Sequence, residues 1–158
     1  MKTVNKSEIF DEKKTSAIVE ELQPTLFDLI ALGLIIKQAH WNVVGPNFRA
    51  VHLHLDEIWA LVQEDVDTVA ERISTLAVSP SGQAHEVTDN AQLTHIPLGF
   101  LRDAEVIDLM TDRMSTVCHN IRERMAKIED TDTVTADLLH QVVDGLEKQL
   151  WMLRVQGM

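Results

Sequence analysis

Apolar side chains recur along most of this chain at steps of three and four residues, the spacing that gathers them on one face of an α-helix. The clearest seam lies in residues 47–76, and similar seams run through 103–128 and 133–154. A first segment, from Ser16 to Val44, is also rich in apolar residues, and strand-like alternation is nearly absent. The pattern therefore predicts four long helices that share one core. The seam of the second helix consists of Val51, Leu55, Ile58, Val62, Val66, Val69 and Ile73.

Glycine and proline separate the predicted helices. Gly45-Pro46 ends the first, because glycine suits the position after a helix and proline cannot continue the hydrogen-bond ladder. Asn47 is expected to cap the second helix, and Pro24 to mark an early break in the first. A run of serine, proline and glycine at 79–82 ends the second helix.

The lengths of the connections predict how the helices are arranged. Short turns join the first helix to the second and the third to the fourth, so each pair forms an antiparallel hairpin. About 25 residues, with one short helix near 84–93, separate the second helix from the third, which is enough chain to run the length of the bundle. We therefore expect an all-α, ferritin-like four-helix bundle with one long crossover, formed by residues 16–155 behind a flexible tail at 1–15.

Composition fits one globular domain without a membrane segment. The chain has 158 residues, 45% of them hydrophobic, which suits a single core. Its longest apolar run, 27–36, contains Asp28 and is too short to span a bilayer. The N-terminus shows no apolar stretch of the kind found in a secretion signal. The single cysteine, Cys118, is expected to be packed rather than reactive, and the chain is expected in the reducing cytoplasm.

The formal net charge of −11 argues against general binding of nucleic acid, which requires clustered Lys and Arg. This charge has two interpretations: it keeps the protein soluble, or it belongs to an acidic cavity that concentrates cations. In the tail, four lysines against three acidic residues give a net charge of about +1. A DNA-compacting, nucleoid-associated protein is therefore an alternative that the sequence does not favour, although repetition of the tail in an oligomer adds avidity. The lysines are Lys2, Lys6, Lys13 and Lys14.

A stripe of candidate metal ligands runs along the second predicted helix. It consists of His52, Asp56, Asp67 and Glu71 and is called the ligand stripe below. His52 and Asp56 are four residues apart, as are Asp67 and Glu71, so each pair shares a helix face. The eleven residues from Asp56 to Asp67 make three turns plus roughly 20°, which puts all four side chains on one side of the helix, beside the apolar seam.

The two ends of the ligand stripe are too far apart to bind one metal ion within a chain. Asp56 and Asp67 are about 16 Å apart along the axis, whereas a ligand atom lies about 2 Å from its ion. Two copies packed antiparallel about a two-fold axis would place each end against the opposite end of the partner, and His40 could join each site from the first helix. Imidazoles and carboxylates suit iron, with zinc, manganese and cobalt as alternatives, and a solvated polar stripe is the competing interpretation.

A di-iron site inside a single bundle is not predicted. Bacterioferritin-type sites of that kind need Glu-x-x-His on facing helices. The nearest match, from Asp137 to His140, has aspartate in place of glutamate. Haem binding finds no support either.

The letters around the ligand stripe resemble a known family. Residues 37–48 read KQAHWNVVGPNF, 51–52 read VH, 55–56 read LD and 65–72 read DVDTVAER. This combination is similar to the signature of the Dps family, the miniferritins or DNA-binding proteins from starved cells. The motif covers about 35 residues, and the order of predicted helices extends the similarity over about 140.

The resemblance implies a hollow homododecamer with two-iron ferroxidase centres shared between subunits. At the matching positions, one subunit supplies His40, His52 and Asp56, and its partner supplies Asp67 and Glu71. Members of the family oxidise Fe(II), preferably with hydrogen peroxide rather than dioxygen, and store ferric mineral in the cavity. Removal of both reagents suppresses hydroxyl radicals and so protects DNA and the cell from oxidative damage.

Two further sets of residues have alternative interpretations. The resemblance implies that Trp41 absorbs stray oxidising equivalents, and the alternative is an aromatic residue packed in an interface. It also implies that the acidic turn 129–132, together with Asp137, lines a pore through which iron enters. The alternative is that Asp132 only caps the fourth helix.

Overall fold

The computed structural model describes residues 9–158. The expected flexible tail at 1–15 mostly concerns residues 1–8, which lie outside the described residues. The first helix begins at Glu12 rather than near Ser16, because the Asp11 carboxylate caps it by accepting a hydrogen bond from Lys14 N at 2.9 Å. In chain order the elements are α1 (Glu12–Asn42), β1 (Val43–Val44), α2 (Phe48–Thr75), α3 (Ala84–Asn90), β2 (Leu101–Arg102), α4 (Asp103–Ile128) and α5 (Thr133–Gln156).

The four long helices form a bundle. α1 packs along α2 and α4 along α5, and the contacts of α1 with α4 and of α2 with α5 close the bundle. The connection between α2 and α4 carries the short helix α3, which lies against α1. The all-α bundle with one long crossover is thereby confirmed. The strands β1 and β2, which the pattern did not predict, pair in parallel where the crossover ends beside the α1–α2 turn.

The predicted seams form one continuous core. Those of α4 and α5 are buried throughout, and that of α2 is buried except at Val66, which is half-buried. Between Val62 and Val69, the side chain that turns fully inward is Asp65, which is only 9% exposed. A carboxyl group thus occupies a core position that the apolar pattern had assigned to its neighbour.

Helix α1 runs without interruption through Pro24, so the predicted break is wrong. Proline removes one backbone hydrogen bond from a helix. Leu22, Leu26 and Leu29, on both sides of Pro24, are buried in the core, and this packing holds the helix together. α1 is rich in apolar residues, yet no helix within residues 9–158 is long and apolar enough to cross a bilayer.

The turn between α1 and α2 is held from the start of α4. The buried Asp103 carboxylate accepts a hydrogen bond from Asn47 N at 2.6 Å. Gly45 has φ +137°, and a Cβ there would lie 2.5 Å from Asp103 Oδ1. Asn47 precedes α2 as predicted, but its side chain makes no capping hydrogen bond. Backbone contact with Asp103 therefore takes the place of a cap and fixes the turn beside the ligand stripe.

Candidate metal centre

Three of the five predicted ligands come together where α1 ends and α2 begins. His40 lies in the last turn of α1, and His52 and Asp56 lie in the first three turns of α2. One donor atom from each of the three falls within 4.8 Å of the others. Within residues 9–158 this is the one group of three or more such side chains gathered so closely. The antiparallel α1–α2 hairpin, fixed by its turn, produces this cluster.

The two histidines hold each other in place through reciprocal contacts. His40 Nδ1 lies 3.0 Å from the carbonyl oxygen of His52, and His52 Nδ1 lies 2.9 Å from the carbonyl oxygen of His40. The rings are stacked, with centroids 3.6 Å apart. A carbonyl oxygen can only accept, so each Nδ1 carries the proton and donates it. In a neutral imidazole, this arrangement leaves Nε2 as the nitrogen that can bind a metal.

Asp56 is ion-paired with Lys37. Its Oδ1 lies 2.5 Å from Lys37 Nζ and 3.4 Å from His40 Nδ1. The hydrogen bond from Lys37 lowers the pKa of the Asp56 carboxyl, and the nearby His40 contributes in the same direction. Nζ of Lys37 also lies 4.4 Å from the centre of the Trp59 ring. The carboxyl group is thus held ionised, as a metal ligand must be.

Asp67 and Glu71 lie apart from this cluster. Both are exposed on α2, about 16 Å and more along the helix from Asp56. No cation or histidine in residues 9–158 approaches either carboxylate within ion-pair distance in the contacts of this chain. A single chain therefore presents one half-site of three donors and, at the other end of the ligand stripe, two solvent-facing carboxylates.

Two residues near the ligand stripe, Lys37 and Asp65, are not among the predicted ligands. Lys37 precedes His40 by three residues, so the helical period alone places it on the same face of α1. Asp65 follows Ile58 by seven residues and Val62 by three, so the helical period also allows it on the apolar face, next to the apolar Val66. Burial raises the pKa of Asp65 to about 7, and the charge of Glu64 adds to the effect. Oδ2 of Asp65 has no hydrogen-bond partner in the described part of the chain.

The acidic turn between α4 and α5 behaves as a helix cap at Asp132. Oδ1 of this residue accepts from Val134 N at 3.2 Å and from Thr135 N at 3.3 Å, and Oδ2 pairs with Arg72 Nη2 at 2.7 Å. Asp132 is only 4% exposed, so its side chain does not face a solvent channel in this chain. The capping interpretation is the one that these contacts support. Asp137, by contrast, is exposed.

Trp41 is 67% exposed beside the buried His40, and Leu34 is equally exposed two turns earlier on α1. Large apolar side chains on one helix face favour contact with another protein surface. The exposure of Trp41 is therefore consistent with an aromatic residue packed in an interface. A role of Trp41 in absorbing oxidising equivalents stays a prediction.

The donor set suits a first-row transition metal in a partly open site. Two imidazole nitrogens and one carboxylate are suitable ligands for iron, and for zinc, manganese or cobalt. Three ligands from one chain leave coordination positions free for water, an oxidant or carboxylates from elsewhere. The Asp56 side chain is 43% exposed, so the cluster is open to solvent in this chain.

Comparison with known proteins identifies the same architecture in others. The ferritin-like domain matches residues 19–156. The DNA protection during starvation protein 2 of Deinococcus radiodurans is 39% identical over 136 residues, which is 86% of this chain and 56% of that protein. The DNA protection during starvation protein of Agrobacterium fabrum is 30% identical over 154 residues, covering 97% of this chain and 95% of that protein.

Solved structures agree with the sequence comparison. The Dps of Mycobacterium smegmatis in its tetragonal crystal form superposes with a TM-score of 0.92 at 32% identity. The alignment covers 98% of this chain and 94% of that one. The bundle, the crossover and the α1–α2 hairpin that carries the three clustered ligands all lie within the aligned region.

Proposed function

Because the chain belongs to the Dps family of ferritin-like proteins, we propose that it binds and oxidises Fe(II) at centres shared between two subunits and stores the Fe(III). Hydrogen peroxide is the preferred oxidant in this proposal, and a hollow dodecamer holds the product. Consumption of ferrous iron and peroxide together protects DNA and the cell from hydroxyl radicals. The protein acts in the cytoplasm.

One observation carries the proposal: the five candidate ligands of each chain lie in two separate groups. His40, His52 and Asp56 cluster at one end of the ligand stripe, and Asp67 and Glu71 are exposed at the other. A two-fold axis across the middle of α2 brings each cluster against the partner subunit's Asp67 and Glu71. The combined set, two imidazoles and three carboxylates, provides donors for a pair of iron ions.

The ligands favour oxidation of the iron that they bind. Carboxylate oxygens are hard donors that stabilise Fe(III) more than Fe(II), so they lower the free energy of the oxidised product. Two ferrous ions supply the two electrons that break the O–O bond of one hydrogen peroxide. With two protons from solvent, both oxygen atoms leave as water, and no hydroxyl radical is released.

Mixing two defective subunits tests whether the centre is shared. His52→Ala damages one end of the ligand stripe and Asp67→Ala the other, so each variant alone is expected to lose fast oxidation and tight Fe(II) binding. In a mixed dimer both lesions fall in the same centre, and the second centre is intact. Random pairing then restores about one quarter of the wild-type centres. The measurements are anaerobic Fe(II) titration and the rate of Fe(III) formation after peroxide is added.

The control is a mixture of His52→Ala with Asp56→Ala, two lesions at the same end. Every mixed dimer then has one damaged histidine–aspartate cluster in each centre, and activity is not restored. Equal recovery in both mixtures, or recovery in neither, would show that the centre is not built from opposite ends of two chains.

The cage is tested by native mass. A closed assembly of about twelve chains, with isologous contacts at the shared centres, is expected. A monomer that binds iron as tightly as the assembled protein would contradict the proposal, because the monomer lacks the partner's carboxylates.

A further inference from the structure

Leu34 is a large apolar side chain that the bundle leaves in solvent. It lies on α1 and is 67% exposed. Lys37, three residues later on the same helix face, reaches Asp56 on α2, so Leu34 projects on the side of α1 that borders the ligand stripe. An apolar side chain exposed beside a proposed subunit interface is expected to be covered by the partner.

The proposed sharing of the metal centre fixes where a two-fold axis crosses α2. In an isologous pair, two residues that meet across the interface lie at equal distances from the axis on their own chains. The midpoint between His52 and Glu71 falls between residues 61 and 62, and so does the midpoint between Asp56 and Asp67. The axis therefore crosses α2 at this point.

The side chains nearest this midpoint can meet their own copies without repulsion. Ala60 and Gln63 are the nearest exposed residues of α2, and both are uncharged. The acidic side chains of Glu57, Glu64 and Asp67 lie further from it along the helix. Like charges that face each other across an axis would repel. The absence of charge at the midpoint does not depend on the ligands, and it supports the same position of the axis.

Gly33 shows which part of α1 lies at the level of the axis. A Cβ at Gly33 would lie 2.8 Å from Gln63 Nε2 and 3.7 Å from Val62 Cγ1, so this glycine packs against the midpoint of α2. Because α1 and α2 pack side by side, an axis perpendicular to α2 passes α1 near the same level. Leu34 is the next residue, and its side chain is the one that projects outward there.

We propose that Leu34 packs against its own copy at the two-fold axis and sets the register in which two subunits assemble the metal centre. The inference rests on the proposed function, which supplies the axis. A slip of one helical turn would displace the chains by about 5.4 Å, more than twice the length of a metal–ligand bond. His52 and Asp56 would then no longer meet the partner's carboxylates. Leu34 is therefore a positioning residue and not a ligand.

Opposite charges at the same position test the self-contact. Leu34→Glu alone and Leu34→Lys alone each place like charges against each other, and each is expected to weaken subunit pairing about tenfold or more. Leu34→Met keeps the apolar contact and should assemble like the wild type. When the Leu34→Glu and Leu34→Lys chains are co-expressed, mixed pairs are expected to be favoured about tenfold over like pairs.

Native mass detects this preference in the composition of the assembled protein. If each two-fold pair contains one chain of each variant, every closed assembly holds equal numbers of the two. Random pairing would instead spread the compositions widely about equality. Leu34 is exposed in the single chain, so neither charge disturbs the core, and circular dichroism checks that the variants remain helical.

The matched control is the mixture of Trp41→Glu with Trp41→Lys. Trp41 lies on the same helix as Leu34 and is equally exposed, at 67%. It is seven residues further along, so it lies about 10 Å from the level of the axis and about 21 Å from its own copy along the helix direction. Opposite charges at Trp41 cannot pair with each other over this distance, and the assemblies should show random composition.

Titration with Zn(II), which accepts the same donors and has no redox chemistry, tests the effect on the centre. Leu34→Glu alone is expected to bind Zn(II) about tenfold more weakly than the wild type, because its subunits pair poorly. The mixture of Leu34→Glu with Leu34→Lys should recover most of the affinity. A residue with a merely structural role within its own chain would not be rescued by the opposite charge on another chain.

Random composition in the Leu34 mixture, or Leu34→Glu that assembles and binds Zn(II) like the wild type, would overturn the inference. The shared centre would still stand if the mixture of His52→Ala with Asp67→Ala recovers activity. Failure of that second mixture would overturn the shared centre, and with it the axis from which the role of Leu34 follows.

Discussion

At Asp65, a carboxyl group fills a position in the α2 seam where Val62 and Val69 place apolar side chains. The residue is 9% exposed, and one of its oxygens has no hydrogen-bond partner in residues 9–158. Burial disfavours the charged form, and Glu64 next to it adds like charge, which together raise the pKa of Asp65 to about 7. The group is therefore protonated in the folded protein over a range of pH in which an unfolded chain ionises it.

This pKa predicts that metal-free protein becomes less stable as pH rises from about 4 to 7. The folded-state pKa is raised, so the stabilisation is fully present below the unfolded value of 3.8 and is lost as pH approaches about 7. The loss is at most about 4 kcal/mol, from the size of the shift. Asp65→Asn removes the titration and should flatten this part of the profile. Melting temperatures at fixed protein concentration give the measurement.

The control for this prediction is Glu64→Gln, a change at the exposed neighbouring carboxylate. It should retain most of the wild-type slope, because desolvation of Asp65 is the larger cause. A profile for Asp65→Asn that follows the wild type throughout would show that another group governs the pH dependence.

Among the helices, α5 is stabilised by polar contacts in its first turn as well as by its apolar seam. Asp132 caps the helix and pairs with Arg72 from the last turn of α2. Burial acts to raise the pKa of Asp132, but hydrogen bonds from Thr135 and Arg72 outweigh it, and the net pKa is lowered. The resulting stabilisation is present above about pH 4 and is lost as the pH falls through the folded-state value. The ion pair between Asp132 and Arg72 joins the end of α2 that carries Glu71 to the start of α5.

Asp132→Ala is expected to destabilise the protein by about 3 kcal/mol, because it removes the cap and leaves Arg72 without its carboxylate. Asp130→Ala changes an exposed residue of the same turn and should alter stability by less than about 0.5 kcal/mol. Denaturant unfolding measures both. If Asp132→Ala instead left stability intact and slowed iron uptake, a role in a pore would be the better account of this residue.

At the scale of the whole molecule, charge decides which partners the protein can approach. A net charge of −11 on each chain, repeated over an assembly, repels the DNA phosphate backbone. The same charge attracts Fe²⁺ over distances of about 8 Å at physiological ionic strength. Under the proposed function, protection of DNA follows from iron chemistry and does not require direct contact.

We predict that the assembled protein does not retard DNA in a gel at physiological salt. At low salt, any retardation should disappear when Lys2 and Lys6 are both changed to Gln, since lysines supply the phosphate contacts. Lys127→Gln, far from the N-terminus in sequence, is the control and should have no effect. Retardation by the wild type that survives physiological salt would favour the DNA-compacting alternative.

The local pattern along the chain was sufficient to predict the helices, the single long crossover, the buried seams and the clustering of His40 with His52 and Asp56. These features follow from the helical period and from short connections, which act between residues close in sequence. The sharing of Asp67 and Glu71 between chains stays a prediction, because it depends on a second subunit.

Only the tertiary structure decided where the polar side chains of neighbouring helices meet. Lys37 reaches Asp56 across nineteen positions of the chain, Asp103 holds the turn at Asn47, and Asp65 rather than Val66 faces the core. Each outcome depends on the rotation of one helix against another. The apolar period of a single helix shows which broad face turns toward the core, but not the angle of rotation about the helix axis. Packing of the whole bundle selects that angle.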